Sequence, residues 1–426
     1  MIIGSGNYGR VYRVTTNEKS SAIKVCNYDS DEQEAGIMAS FLREVDVMTS
    51  CDHENIMHIK SFFFNNGIHY IVMPEGRLDL HTAVVENFSF DRERVLKGVA
   101  SGLYYLEQKN ILHCDFKPEN IILYTRNNKV TPKISDFGIV SREVAVGKIV
   151  FPTGSWPWRS PEDLSFSKKR DFRSISWIFG MLIAFVLGNR RIVTIKSIKE
   201  YCELVGSPTQ RSSLFEKVCQ RGNIIPEYNY KRSMIAPLYD FIVKNCVVWK
   251  MRDRLSMYNI CRSFNIRIEK PLTREEILQR SSEKFTVNKE DYKKMCGWMK
   301  KLYSQKDNYH RKHLAPLALS IFCRIQKPAD YYTFLACVSI ASKVRNSSQY
   351  YCLYDKLDKE DYHKVVEQEA EILEILEGRF TVPTSLSYYE IVIENNTSTK
   401  KVVKISNLVD EILKGNVCDL QAIAIK

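Results

Sequence analysis

Across its 426 residues the chain carries 12 cysteines but no Cys-x-x-Cys pair and no zinc-ligand spacing. That excludes a structural zinc site and gives no disulfide framework, so the thiols read as free and the compartment as reducing. Long hydrophobic runs are also missing. The longest, Ile175 to Gly188, is about fourteen residues and is interrupted by Ser176, whereas a membrane-spanning helix needs about 20; this reads as a buried core helix. The opening Met1-Ile2-Ile3-Gly4 lacks the charged and apolar regions of a signal peptide, so secretion is not expected. Although Lys and Arg total 62 against 50 Asp and Glu, for a net charge of +12, no long basic block occurs. Such a spread excess is compatible with nucleic acid, acidic substrates or nucleotide phosphates and selects none of them. No internal repeat is present. With 44% hydrophobic and 26% charged residues, the composition is that of ordinary globular domains, and the length allows two or three.

Strand-like and helix-like segments alternate over the first 120 residues. Val11 to Val14, Ser21 to Val25 and His69 to Met73 are β-branched or aromatic runs that predict strands. Residues 34–50 place Ile37, Phe41, Val45 and Met48 at helical spacing. Val95 to Gln108, the Ile175 segment and Leu238 to Lys250 predict helices. Residues 269–290 turn polar and read as a linker. Five apolar-periodic segments follow, at 291–304, 313–326, 329–344, 359–377 and 385–393, which predict an all-α domain over 291–394 and a tail over 395–426.

Gly4-Ser5-Gly6-Asn7-Tyr8-Gly9-Arg10-Val11 is a G-x-G-x-x-G-x-V loop between two strands. Glycine lets the backbone approach phosphate and present N–H groups to it, though a tight hairpin gives the same letters. Thirteen residues past Val11, the Ala22-Ile23-Lys24 strand ends in a lysine that suits a point charge aimed at phosphates. Such a lysine, if buried, needs a carboxylate, and Glu44 on the next helix is the candidate. His113-Cys114-Asp115-Phe116-Lys117-Pro118-Glu119-Asn120 then offers a base (Asp115), a cation (Lys117) and a metal ligand (Asn120). Asp136-Phe137-Gly138 adds a second metal ligand. Phosphoryl transfer needs this set of parts.

These motifs resemble the eukaryotic protein kinases over residues 1–268. The resemblance implies an α+β, bilobal fold with a small β-rich N-lobe and a helical C-lobe, using ATP and Mg²⁺. In that likeness Asp115, Lys117, Lys24, Glu44 and Ser155 are catalytic, and Asn120 and Asp136 hold metal. Ile3, Gly4, Ser5, Gly6, Asn7, Tyr8, Gly9, Val11, Ala22, Lys24 and Met73 border the nucleotide, with Pro74 opening the hinge. Ser160-Pro161-Glu162 is similar to the Ala-Pro-Glu motif. Arg254 matches the arginine that pairs with its glutamate, and Asp171 the aspartate that steadies the catalytic loop. Asp-Phe-Lys-Pro-Glu-Asn is the serine/threonine form. Cys114 stands where the family has arginine, and Val150 where cyclin-dependent kinases have their activating threonine, so activation independent of loop phosphorylation is expected.

Ser40-Phe41-Leu42-Arg43-Glu44 resembles the Ser-Thr-Ala-Ile-Arg-Glu helix of cyclin-dependent kinases, and Arg159 their arginine before the Pro-Glu motif. Tyr8 falls at their inhibitory tyrosine. Residues 334–343 resemble the third helix of a cyclin box and residues 368–384 its fourth helix and the entry to its fifth, with Lys343 and Glu369 at the kinase-contacting positions. The expectation is a serine/threonine protein kinase acting on protein substrates, Ser/Thr-Pro sites among them. Its own five-helix cyclin-like domain would activate it by docking on the Glu44 helix, in the cytoplasm or nucleus, of a host cell if the chain is viral. The alternatives are a pseudokinase scaffold that recruits partners through the helical domain, and a nucleic-acid binder driven by the charge, for which no aromatic-basic motif is present.

Overall fold

The computed structural model describes residues 1–6, 9–16, 19–26, 31–65, 68–127, 129–141, 155, 158–160, 162, 171–188, 237–248, 250–268, 288–303, 308–344 and 357–379. Five antiparallel strands form the first sheet: β1 (Ile2–Gly6), β2 (Gly9–Thr16), β3 (Lys19–Cys26), β4 (Ser61–Asn65) and β5 (Ile68–Pro74). Their order is β1-β2-β3-β5-β4. β5 alternates half-buried and buried positions, turning His69, Ile71 and Met73 inward. That is the period-2 pattern expected of a sheet with one covered face.

Between β3 and β4 lies α1 (Asp31–Ser50). Its predicted apolar stripe is present, but every residue from Ile37 to Met48 is buried, including Ser40, Arg43, Glu44 and Asp46. A helix buried all round must be covered on more than one side. Here β3, β5 and the 137–139 turn cover one side, and a later helix, Tyr331–Val344, covers another.

The chain then turns mostly helical. α2 (Leu80–Val85) starts at Asp79, whose carboxylate accepts from Thr82 N at 2.8 Å. α3 (Arg92–Gln108) is capped by Asp91, which accepts from Arg94 N at 3.0 Å, and buries Val95, Leu96, Val99, Ala100 and Leu103. Such caps satisfy N–H groups that the first helical turn leaves orphaned. Short strands β6 (Leu78–Asp79), β8 (Ile121–Arg126) and β9 (Lys129–Ile134) form one small sheet. β7 (Leu112–His113) and β10 (Val140–Ser141) form another. α4 (Phe172–Gly188) is the apolar segment read from the sequence as a core helix. Its residues Ser174 to Val186 are all buried, and among the described residues no helix is long and apolar enough to cross a membrane. α5 (Pro237–Cys246) and α6 (Met257–Ser263) pack against it.

Four further helices are described: α7 (Lys289–Tyr303), α8 (Asn308–Ile325), α9 (Tyr331–Val344) and α10 (Lys359–Ile375). They match four of the five helical segments expected from periodicity. The fifth, at 385–393, the tail, and residues 269–287 of the linker expected over 269–290 lie outside the described residues, and α7 starts at Lys289, inside that expected linker. α9 is buried from Thr333 to Val344 because α8 and α10 flank it and α1 lies across it. Every cysteine among the described residues is a free, buried thiol.

One buried ion pair locks the lower half. The Arg254 side chain is fully buried and grips Glu162 with two hydrogen bonds of 2.7 and 2.8 Å. It also donates to Val248 O at 2.7 Å and lies over the Trp177 ring. A fork-to-fork pair of this kind keeps both charges solvated by the protein. Removing one partner strands the other, so Glu162→Ala should lower stability by about 3–5 kcal/mol. Urea unfolding followed by circular dichroism measures the loss.

Candidate functional site

The site is built where the first sheet, α1 and the loops after β7 and β9 converge. At its upper edge β1 and β2 form the glycine hairpin, with Gly6 opposite Gly9, Ser5 opposite Arg10 and Gly4 opposite Val11. Gly9 has φ +138°, and a Cβ there would collide with the Val25 carbonyl of β3. Glycine is therefore required at this position for the hairpin to lie close on the sheet. Ile3 is exposed and Val11 packs partly on the core. The side chain of Ser5, and all of Asn7 and Tyr8, lie outside the described residues. Ala22 pairs across the ladder with Met73, both buried. Pro74 O accepts from Tyr124 Oη at 2.7 Å.

Lys24 reaches inward from β3. Its Nζ donates to Glu44 Oε2 at 2.5 Å and to Asp136 Oδ1 at 3.1 Å. Burial alone would push the Lys24 ammonium down, but Asp136 and Glu44 together lift it well above its ordinary value. Lys24 in turn holds the Asp136 carboxyl below its ordinary value, against the opposing effect of burial. Both groups therefore stay charged. Side-chain exposure separates their roles: Glu44 is 3% exposed and Asp136 39%. Burial pushes the Glu44 carboxyl up and the Lys24 charge opposes that rise, so Glu44 is the enclosed partner of Lys24, whereas Asp136 still faces the cleft.

Asp136 sits in the left-handed region at φ 62°, ψ 68°, and the next three residues, Phe137–Ile139, make one tight turn. That backbone swings the carboxylate out while Phe137 is buried against the His113 ring, 5.3 Å between centroids. Gly138 packs so tightly on α1 that a Cβ would strike Ser40 Oγ.

The 113–120 loop supplies the remaining groups. Lys117 Nζ donates to Asp115 Oδ2 at 2.8 Å and to Ser155 Oγ at 2.6 Å. Ser155 N donates back to Asp115 Oδ1 at 2.6 Å. Asn120 Nδ2 donates to Asp115 O at 2.8 Å. With its amide nitrogen committed there, the Asn120 oxygen is the atom left for a cation. His113 lies underneath, its Nε2 2.9 Å from Ser135 O; burial holds its imidazole below its ordinary proton affinity. Ser135 closes the base of the loop, bonding Asn120 O through both its N–H and its hydroxyl.

The residues read as catalytic and metal-binding are thus brought together, with Lys24, Glu44 and Asp136 in one ion cluster and Asp115, Lys117, Asn120 and Ser155 in the next. Cys114 is buried and its thiol donates to Leu112 O at 3.5 Å. Asp171 is placed elsewhere than expected. Its carboxylate accepts from Arg173 N at 2.6 Å at the start of α4, and no bond takes it to the 113–120 loop. That loop is steadied instead by Ser135, Asn120 and the β7–β10 pairing. The Ser135 contribution had no signal in the sequence, because serine before Asp136 has many bland readings. Val150 lies outside the described residues.

Oxygen donors such as Asp136 and Asn120 suit a hard cation like Mg²⁺, which takes one or two protein ligands and completes its shell with water and phosphate. Among the described residues, no cluster of three or more His, Cys, Asp or Glu could hold a metal by itself. A small donor set of this kind fits a metal shared with a nucleotide.

Residues 1–264 match the protein kinase domain family. The chain belongs to the protein kinase family. Similar kinases include calcium-dependent protein kinase 4 of Plasmodium berghei (strain Anka), 30% identical over 197 residues, covering 44% of this chain and 36% of that protein. A probable cell division protein kinase of Encephalitozoon cuniculi is 28% identical over 183 residues, 43% of this chain and 68% of that protein. Tyrosine-protein kinase Fer of Mus musculus is 30% identical over 206 residues, 44% of this chain and 23% of that protein. This kinase therefore spans only about a third of the length of its calcium-dependent relatives, and the names of its relatives include both calcium-dependent and tyrosine kinases.

Lys343 and Glu369, read as the contact pair of the C-terminal region, form a buried ion pair between α9 and α10, at 2.9 and 2.7 Å. It lies close to His69 of β5. Burial first, and then the Lys343 charge, press the His69 imidazole down to about 4. On unfolding, His69 takes up a proton near pH 6.5 that the folded kinase refuses until about pH 4. Stability should therefore fall as pH drops through that window, by up to about 3 kcal/mol. His69→Gln should flatten the pH dependence of the unfolding midpoint between pH 6.5 and 4.

Proposed function

We propose that this chain is an ATP- and Mg²⁺-dependent serine/threonine protein kinase whose C-terminal helical region, cyclin-like in its motifs, holds the kinase domain active in cis. The observation that carries the catalytic half is the Asp115–Lys117–Ser155 triangle. Asp115 is positioned to accept a hydroxyl proton, with one carboxylate oxygen bonded to Lys117 and the other to Ser155 N. Lys117 sits where it neutralises charge that develops on a transferring phosphoryl. Lys24, kept protonated by Glu44 and Asp136, would hold the α- and β-phosphates, while Asp136 and Asn120 would hold Mg²⁺. When bound, ATP and Mg²⁺ supply the phosphoryl group and the neutralising charge. The glycine hairpin above and the Ala22–Met73 pair behind would border the nucleotide.

The serine/threonine class is supported by Lys117 two residues after Asp115 and by its bond to the Ser155 hydroxyl at 2.6 Å. Arg159 suggests Ser/Thr-Pro sites by likeness to the cyclin-dependent group. Activation in cis is supported by α9 lying across α1, the helix whose Glu44 must point inward. A partner that contacts only the inward position of that helix favours it by mass action, and covalent linkage raises its effective concentration to about mM. Cys114, in place of the arginine that binds a phosphorylated loop, and Val150, in place of the threonine that carries the phosphate, fit a kinase whose activation needs no loop phosphate. A cytoplasmic or nuclear location is the reading we adopt, supported by the free thiols among the described residues.

Labelled-phosphate transfer from ATP to myelin basic protein tests the reading. Asp115→Asn should lower the rate by about a hundredfold or more, and equal turnover in both proteins would overturn it in favour of a scaffold. The label should appear on serine and threonine; label on tyrosine alone would overturn the class. Specific activity should be unchanged on dilution of the enzyme, whereas a rate that falls with dilution would place the activating helices on a second copy.

A further inference from the structure

We propose that Arg43 is the positioning residue that couples the C-terminal helices to the metal-side turn. The inference rests on the cis-activation reading and names the side chain through which it acts. Arg43 is buried on α1, next to Glu44. Its Nε donates to Gly138 O at 2.7 Å, and its Nη1 donates to Lys343 O at 3.0 Å. One guanidinium therefore spans two carbonyls that lie 205 residues apart in the chain, one beside Asp136 and the other in the last turn of α9.

Both acceptors stand where a side-chain donor can reach them. Lys343 is the penultimate residue of α9 (Tyr331–Val344), in the last helical turn, where carbonyls turn to donors from outside the helix. The helix end also carries partial negative charge, which a cation stabilises. The Gly138 carbonyl lies in the tight turn that follows the left-handed Asp136. The turn is pinned from the other side, because Gly138 lies directly on Ser40, three residues before Arg43.

The chemistry selects arginine. Its planar fork fixes the separation and direction of its donors, so holding one carbonyl sets the position of the other; a lysine ammonium is a point donor without that rigidity. The α9 end is itself fixed, since the Lys343 side chain is tied to Glu369 of α10. A second tether runs alongside, with Thr49 Oγ1 donating to Gly378 O at 3.2 Å. Gly378 has φ +74° and lies against Val45 and Phe62. Displacing α9 would thus take away one of the carbonyls that Arg43 holds, loosen the 137–139 turn and move the Asp136 carboxylate away from Lys24. The C-terminal helices act in this way on the metal ligand directly, as well as on the Lys24–Glu44 pair.

The test uses the full chain with Arg43→Met and Arg43→Lys. Hydrogen exchange read by mass spectrometry should show faster exchange, by about tenfold or more, in both 137–141 and 340–344 of Arg43→Met, with α3 residues 95–106 unchanged. Arg43→Lys should not restore both segments. In the transfer assay Arg43→Met should lower kcat by about tenfold, raise the Mg²⁺ needed for half-maximal rate, and leave KM for ATP within about threefold. Loosening confined to one segment, or full rescue by lysine, would overturn the coupling. A wild type without Asp115-dependent transfer would sink the proposed function while the exchange pattern still decides this inference.

Discussion

The structure turns on a lysine that has to be charged where water is scarce. Lys24 is buried, and a buried ammonium without partners would lose its proton or leave the site. Glu44 and Asp136 prevent both outcomes, and each arrives from a different part of the chain. Glu44 comes from α1 and Asp136 from the turn after β9. The ion cluster can exist only when α1 is seated inward and that turn is in its left-handed conformation. Whatever holds α1 therefore holds the site.

What holds α1 explains why it departs from an ordinary amphipathic helix. The apolar positions Ile37, Phe41, Val45 and Met48 suffice to seat one face against the sheet. Ser40, Arg43, Glu44 and Asp46, which periodicity assigns to a solvated face, are buried as well. Charges stay buried only with partners, and the partners lie on three separate elements: Lys24 on β3, Gly138 O on the turn, and Lys343 O on α9. α9 closes the side of α1 that the sheet leaves open. Deleting α9 would do more than expose apolar surface, because it would also strip a bond from the guanidinium beside Glu44.

The contrast between what could be read from the residues and what could not follows the range of the interactions. Asp115, Lys117, Asn120 and Asp136 were legible because phosphoryl transfer constrains residue type at short spacing, and the chemistry permits few substitutes. Strands such as Ser21–Val25 and helices such as 331–344 were legible because burial on one or all sides leaves a periodic mark. The role of Arg43 was not legible, since a helix arginine is most simply a solvated charge and its two acceptors are backbone carbonyls, which have no letter in the sequence. Asp171 was misplaced for the related reason that an acidic residue just before a helix is equally well a cap. Capping is the role that its bond to Arg173 N assigns.

The same logic bears on Cys114. A buried arginine at that position would need an anion, and a phosphorylated loop is one way to supply it. A cysteine is small and neutral, and it satisfies itself on the Leu112 carbonyl 3.5 Å away, so the loop interior needs no counter-charge. Positive charge beside the metal-side turn comes instead from Arg43, whose donors are met by backbone carbonyls that are present at all times. Backbone carbonyls have fixed positions and no titration, so contacts to them do not respond to a kinase or phosphatase upstream. They respond to whether α9 is docked. On the cis-activation reading proposed above, a helix end takes the place of a phosphate and a conformational signal that of a covalent one, its strength set by how firmly α9, α10 and the Gly378 turn grip α1.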